Sequence, residues 1–476
     1  MTARRHSRVL GIDFGTSNSA AALVDDEGYL RVIPLETDSP SMPTALFFPS
    51  EGDHIAYGTD AMQTYLRGAQ EQDPGGRLMR AIKSLLGSKL MDEQTVVNGQ
   101  LIGFFDIVVL FFKELKARSE RHLGFEVSAA MLGRPVHFVD DHADCDALAQ
   151  ATLERAARAA GFDSVSFELE PIAAAFDFER RVERDTTALV VDIGGGTSDF
   201  TVIQLGPERQ KNASRAGDIL STTGTHIGGT DFDRLLNLGC VMPHLGLGHT
   251  GPSGREVPSS VFFDLSTWHL IHHAYSRKSL AQATELWRSY TDRHLHQRLM
   301  DVLRERQGHQ ILAHVEEAKI SCSMARAPAE IDLDSVEPGL SAALTPQHMR
   351  ELLAQQVDAI VRCAQDCVER ADGGPQPIDV LYLTGGSSAL TPLVDALKVA
   401  FPEATLVKGD RFGGVAAGLA WAGFKASQQT QHPEIPELLL QTQQQIKQMC
   451  RPEPYLAKKT GQNLNLSKRD WISESK

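Results

Sequence analysis

The chain has 476 residues and only 6 cysteines, none of them in a CxxC pair. Cys363 and Cys367 lie four apart in a helical pattern and read as free buried thiols, a usage that fits a reducing compartment. No stretch stays apolar for the length of a membrane span. The basic start, MTARRHSRVLGIDF, has no apolar core of the secretory kind because Asp13 interrupts it, so no signal peptide is expected. No GxxxxGK[ST] occurs, which excludes a P-loop. Positive charge is in deficit: Lys and Arg number 47 against 61 Asp and Glu, a formal net charge of −14. That balance argues against general binding of nucleic acid or of an anionic membrane. The expectation from these absences is a soluble, cytoplasmic protein.

Apolar residues make up 42% of the chain, enough for real cores. The length exceeds what one core usually serves, so two domains or one two-lobed unit are expected. Strand-like runs recur at VLGID, AALVD, TALFF, ALVVDI, FTVIQL and VLYLT. Helical patterns lie between them over 103–123, 143–160, 231–238, 298–323 and 346–371. This alternation argues for an α/β fold. The Gly-, Pro- and His-rich stretch CVMPHLGLGHTGPSGREV, 240–257, reads as an exposed loop. Its GLGHTG fits GxGxxG but opens no helix, so a dinucleotide site is not expected there. STWHLIHHAY sets His269 and His273 at helical spacing, with no acidic or Cys partner in the segment, and reads as packing or surface rather than metal. Beyond about 423 the pattern degrades into a polar segment with one helical patch and a loose tail.

The stretch GIDFGTSNSA is the first that looks chosen for chemistry. An apolar strand ends at Asp13; then come Gly15, Thr16, Ser17 and Asn18; then a second apolar strand. Gly15 permits a positive φ and close backbone approach. Successive N–H groups in such a turn make an anion-binding concavity, and the two hydroxyls add donors. An acid beside a phosphate cradle makes sense with a hard cation between them, held largely through water. One such turn is equally well an ordinary hairpin. A near copy, VVDIGGGTSDFTVI, repeats the pattern with Asp192, Gly194, Gly195, Gly196, Thr197 and Asp199. Two facing hairpins can hold a polyphosphate from opposite sides, in a cleft between duplicated lobes. A third turn, LYLTGGSSAL, places Gly385, Gly386 and Ser387 between a strand and a helix, a context that suits close approach to a phosphate or sugar.

Together these motifs resemble the actin-like ATPase superfamily, and most closely the nucleotide-binding domain of the heat-shock protein 70 chaperones. The resemblance covers roughly 7–423. It implies a two-lobed α/β fold of duplicated ribonuclease-H-like lobes: lobe I over 1–184, lobe II over 185–412, a crossing helix over 413–425, and a C-terminal helix and tail over 426–476. It implies ATP and ADP as ligands with Mg2+, the ion held mostly through water by Asp13 and Asp192. AIKSLLG resembles the segment with the family's essential lysine, here Lys83, and ELEPIAAAF supplies a metal-side glutamate, Glu170. The implied catalytic set is Lys83, Glu170, Asp192, Thr197 and Asp199. GRPVHF puts Pro135 at the family's switch proline. THIGGTDFD resembles a cleft stretch, with Gly228 and Gly229 against the nucleotide. VEEAKISCS resembles the nucleoside helix, giving Glu316, Lys319 and Ser323. Singly, each residue has a bland explanation: Lys83 a solvated lysine, Glu170 a helix cap, Glu316 and Lys319 a surface pair. Their joint occurrence in order is what points to a nucleotide site.

The departures are as informative. Two arginines flank adenine in the family, and the matching positions here are Ile320 and Ala389. The family's acid before the last crossing helix is Phe412 here, and the arginine of the proline-switch helix is matched by Ala149. About 50 residues follow the resemblance, without alternating strands, so no peptide-binding domain is expected; PELLLQ is the one linker-like run. The functional expectation is a slow chaperone-type ATPase, a nucleotide-driven switch with co-chaperones or client proteins as partners. The alternatives are a small-molecule kinase of the same fold, a filament-forming relative, or a module that binds nucleotide without turnover.

Overall fold

Each of the two repeated turns joins an antiparallel hairpin at the centre of a sheet. The computed structural model describes residues 8–430, apart from 38, 51–53, 71–75, 98, 140–141, 212–215 and 411–412. In the first sheet, Val9–Phe14 runs antiparallel to Asn18–Val24 and parallel to Ala129–Arg134, which is parallel to Ser164–Leu169. In the second sheet, Thr186–Ile193 runs antiparallel to Ser198–Leu205 and parallel to Val380–Thr384, which is parallel to Thr405–Lys408. The two sheets therefore share one plan: a central strand with its hairpin partner on one side and parallel crossovers on the other. Such strands are covered on both faces and need near-continuous apolar runs, and both central strands are almost wholly buried. This is the two-lobed α/β fold expected from the duplicated motifs.

Helices fix the turns from below. Phe14, the last residue before the first turn, meets Phe111 and Phe112 of the helix Phe104–Leu123 at ring separations of 5.7 and 5.0 Å. The helix Pro346–Glu369 covers the second sheet, with Leu353, Val357 and Ile360 buried. Between the sheets, Glu170–Glu179 and Gly414–Thr430 cross in close contact. A Cβ built at Gly418 would meet the Ala173 carbonyl oxygen at 1.8 Å, and one at Gly11 would meet the Ala420 nitrogen at 2.3 Å. The alanine-rich stretches of both helices permit that approach.

Several sequence expectations need correction. The stretch 240–257 is an exposed loop only in its second half: 250–256 is largely exposed, but Val241, Met242 and Leu245 are fully or nearly fully buried, and Val257 closes the same core. Its polar composition misled because its few apolar residues all point inward, on the π-turn Asn237–Val241 and the 3-10 turn Met242–Leu245. The single helical pattern over 298–323 is two helices, Arg293–Arg304 and Gly308–Ala325. The break comes at Arg306, with φ of 56°, and at Gly308, where a Cβ would meet the Tyr275 hydroxyl at 2.7 Å. The crossing helix continues to Thr430. Phe412, PELLLQ and the segment 431–476 lie outside the described residues. Ala149 is buried on the helix Ala143–Ala159, beside Gly87. No helix among the described residues is long and apolar enough to cross a membrane.

Candidate functional site

The two repeated turns face each other across one cleft. A Cβ at Gly195 would meet the Ser17 Oγ at 2.5 Å, and one at Gly196 would meet the Thr16 Oγ1 at 2.9 Å. Glycine at these positions lets one turn's backbone sit against the other's hydroxyls. Gly15 does not take a positive φ as expected; it is required because a Cβ there would strike the Asn18 carbonyl oxygen at 2.1 Å. Gly385 does take one, at 81°, and a Cβ there would meet the Ile193 carbonyl oxygen at 2.4 Å and the Asp192 Oδ1 at 2.5 Å. Thr44, which sequence reasoning missed, braces the first turn: its hydroxyl donates to the Gly15 carbonyl at 2.8 Å and its N–H to that of Ser17 at 2.9 Å. The second turn is braced from Gly228 onward, where Gly229 and Thr230 N–H groups donate to the Gly194 and Gly195 carbonyls at 3.0 and 2.8 Å.

Asp13, Lys83, Glu170, Asp192, Thr197, both glycine turns, Ser323 and Gly385–Ser387 all line this cleft, together with Glu316 and Lys319. Two expected residues do not line it. Asp199 lies behind Thr197, where its Oδ1 accepts the Val136 N–H at 2.7 Å; that bond ties the second turn to the residue after Pro135. Gly228 packs against the backbone of Gly195 and Gly196 instead of the cleft. Lys83 is not a solvated lysine: its Nζ donates to Glu170 Oε1 at 2.7 Å, with both side chains buried. Ala81 holds φ of 58° two residues earlier, a left-handed conformation that a non-glycine residue keeps only where its surroundings impose it.

The end of the cleft between the two facing turns is crowded with buried carboxyl groups. Burial pushes the Asp13 carboxyl up to about 7, reinforced by Glu170 and opposed by Lys83. Burial raises Asp199 to about 7 as well, with Glu170 adding to it and the Val136 and Thr197 hydrogen bonds opposing. Asp192 is held well above the carboxylate range by burial and by Glu170, Asp199 and Asp13. Burial disfavours the Lys83 ammonium, but Glu170, Asp13 and Asp199 outweigh it and keep the lysine protonated. Four carboxyl groups around one ammonium make a donor set that fits an added cation. Among the described residues no three His, Cys, Asp or Glu side chains form a closed metal cage. Asp13 and Asp192 are therefore suited to a hydrated ion, the form in which Mg2+ usually binds.

The other end, along the helix Gly308–Ala325, is built differently. Glu316 and Lys319 do not pair with each other. Lys319 Nζ donates to Asp233 Oδ1 at 2.6 Å, and Glu316 Oε2 accepts from Arg80 Nη2 at 2.8 Å. Arg80 also lies over the Trp268 ring at 4.0 Å, and the Trp268 indole N–H donates to Asp233 Oδ2 at 3.4 Å. Farther out, Tyr65 and His309 Nδ1 are 3.1 Å apart, and Arg77 Nη2 reaches His272 Nε2 at 2.8 Å. Burial pushes His272 and His309 down to about 3, with nearby arginines adding to it, and pushes His269 down to about 4. His269 and His272 thus pack as neutral rings, and the segment is joined through Arg77 and Arg80 to the strand Gly76–Arg80. Sequence reasoning missed Asp233 as a cleft residue, although it stood inside THIGGTDFD, and missed Arg80 and Trp268, which lie behind the lining and carried no local signal. Ile320, Met324 and Ala389 line the same end, with Ile320 47% and Met324 72% exposed.

The model of the Hsp70 protein family matches residues 9–240. The chain is 30% identical over 228 residues to the chaperone protein DnaK of Thermosipho melanesiensis, an alignment covering 48% of this chain and 34% of that one. It is 29% identical over 236 residues to the DnaK proteins of Thermotoga neapolitana and Thermotoga maritima, covering 49% of this chain and 36% of each. The aligned part is about a third of each relative's length. The match ends before Glu316 and Gly385, yet the fold brings those residues into the same cleft as the matched turns. The chain is similar to Hsp70 proteins over residues 9–240, within a two-lobed α/β fold.

Proposed function

We propose that this chain binds ATP with Mg2+ in the cleft and hydrolyses it slowly to ADP and phosphate, as a chaperone-type nucleotide switch. The observation that carries the reading is the pair of facing Gly-Thr-Ser turns set around the buried Lys83–Glu170 pair. The two turns and the Thr16 and Ser17 hydroxyls would take the phosphates from opposite sides. Asp13 and Asp192 would hold the hydrated Mg2+, which supplies charge neutralisation at the phosphates when bound. Lys83 would stabilise charge on the transferring phosphoryl group, and Glu170, fixed by Lys83, would orient the attacking water with Thr197. Asp199 would act one step back, by holding Thr197 and the Val136 backbone. Glu316, Lys319 and Ser323 would face the nucleoside, and Ile320, Met324 and Ala389 would hold the base by apolar contact.

Hydrolysis would change lobe closure, with lobe I over 1–184, lobe II over 185–412 and the crossing helix between them. Co-chaperones or client proteins would be the partners of such a switch. The test is a thermal shift with ATP, with and without Mg2+, and phosphate release in parallel. Ligand at 100 times its dissociation constant should add about 2.7 kcal/mol of stability. Absence of any Mg2+-dependent shift would overturn the reading.

A further inference from the structure

We propose that Arg80 is a positioning residue of the nucleotide site: clamped across the cleft between Glu316 and Trp268, it ties the segment that carries Lys83 to the helix that faces the nucleoside, so that nucleoside binding sets Lys83 against Glu170. The proposal rests on the reading of the cleft as an ATP site.

Three observations converge on it. Arg80 ends the strand Gly76–Arg80 and stands three residues before Lys83. Its guanidinium is only 10% exposed and is held on one side by Glu316 Oε2 at 2.8 Å and on the other by the Trp268 ring at 4.0 Å. A planar, delocalised cation suits this combination of carboxylate and aromatic face. Between Arg80 and the cleft-lining Lys83 lies Ala81, buried and in a left-handed conformation, followed by the 3-10 turn Ile82–Leu85. Strain of that kind persists where both ends of the segment are fixed. Here the ends are the Arg80–Glu316 and Lys83–Glu170 pairs, which lie on opposite sides of the strained residue.

The far anchor is itself connected to the nucleoside end. Glu316 and Lys319 share the helix Gly308–Ala325, and Lys319 and Trp268 both bond Asp233. A ribose held at Glu316 and Lys319 would therefore press on the same network that fixes Arg80. Displacing that network moves the start of the turn that presents Lys83. Arg80 touches neither the phosphate-side pair nor the two glycine turns in this arrangement; its effect on chemistry runs through Lys83.

The experiment compares ADP affinity by calorimetry and steady-state ATP hydrolysis in the unaltered protein, Arg80→Ala, Arg80→Lys, Glu316→Gln and the Arg80→Ala/Glu316→Gln double variant. Loss of a charge-assisted pair predicts a fall in kcat/KM of about tenfold or more for Arg80→Ala. The expected loss includes kcat as well as KM, with part of kcat restored by Arg80→Lys, whose ammonium still reaches a carboxylate. The double variant should lose no more kcat than Arg80→Ala alone, because both changes break the same link, while any further loss of ADP affinity reports the nucleoside contact of Glu316. If Arg80→Ala lowers only the melting temperature, with kcat, KM and ADP affinity within twofold of the unaltered protein, Arg80 is merely structural and the proposal fails. If Arg80→Ala does not fold, Arg80→Lys and Glu316→Gln carry the test: unchanged kinetics in both defeat it. If the unaltered protein binds no nucleotide, the ATP reading falls and the proposal with it, a result distinct from an active protein indifferent to Arg80.

Discussion

The two ends of the cleft are made by opposite means. The phosphate end is built from backbone: two hairpin turns and a third glycine turn, each short in sequence, meet face to face. The nucleoside end is built from side chains far apart in sequence: Arg80 with Glu316, Lys319 with Asp233, and Trp268 beneath both. A backbone cradle depends on residues that need no Cβ, so it fails through steric intrusion. A side-chain seam depends on charge matching, so it fails when one partner is removed. The two ends should therefore break differently, the first in rate alone and the second in stability as well as rate.

The sharpest break is expected at Lys319. Removing its charge with Lys319→Ala leaves the buried Asp233 carboxylate without its 2.6 Å partner, a loss of about 3 kcal/mol or more in the ligand-free protein. Denaturant unfolding measures it. A loss under 1 kcal/mol would mean that solvent in the cleft replaces the ammonium, and that the nucleoside end is not a structural seam. Lys83→Ala should do the converse. Removing a preorganised charge from the transition state typically costs about 10²–10³-fold in rate. Single-turnover ATP hydrolysis should fall by that order while ATP affinity changes far less. Equal losses in both would assign Lys83 to binding rather than chemistry.

Titration separates the two ends further. Asp13 has its carboxyl raised to about 7 in the fold, so above that pH the folded protein carries the cost of a buried charge. The cost is absent below the unfolded value of about 4. Asp13→Asn should therefore stabilise the ligand-free protein at pH 8, with a gain that fades on acidification towards pH 4. His309 behaves oppositely. Its folded value is about 3, below the unfolded value of 6.5. Its stabilising contribution is full above pH 6.5 and is lost as pH falls from 6.5 towards 3. His309→Gln should flatten the decline in melting temperature between pH 6.5 and 4. Melting curves of both variants across pH 4–8 check the two signs, and parallel behaviour of the two would erase the distinction. The smallest effect is expected at the base: Ile320→Arg places a cation at a half-exposed rim position, and stacking of that kind contributes about 0.5–1 kcal/mol. ADP should bind a few-fold more tightly by calorimetry; unchanged affinity would place the base elsewhere.

The same contrast explains what could be read from the sequence. Asp13, Gly15, Thr16 and Ser17 sit within five residues, and their chemistry follows from local turn geometry, so the phosphate end was legible. The alternation of strands and helices likewise gave the two-sheet plan. Arg80 and Trp268 are 188 positions apart in the sequence, and nothing local in either segment marks a cation meeting a ring. Gly228 sat in a recognisable motif, yet its role is to brace another turn, a contact that only the assembled fold defines. The stretch 240–257 failed for a related reason: its many turn residues signal loops, and only the surrounding helices turn its few apolar side chains into core.

The crossing helices carry a mechanical consequence. Gly418 against Ala173 is backbone resting on backbone, with no side chain interposed. At that point the two helices meet without interlocking, while Ile172, Val415 and Leu419 pack in the core around it. Torque between the lobes meets further resistance at the rim, where Arg80, Arg77 and Tyr65 reach over. A methyl group at position 418 would act as a grain of sand in that contact, propping the two lobes at a fixed angle.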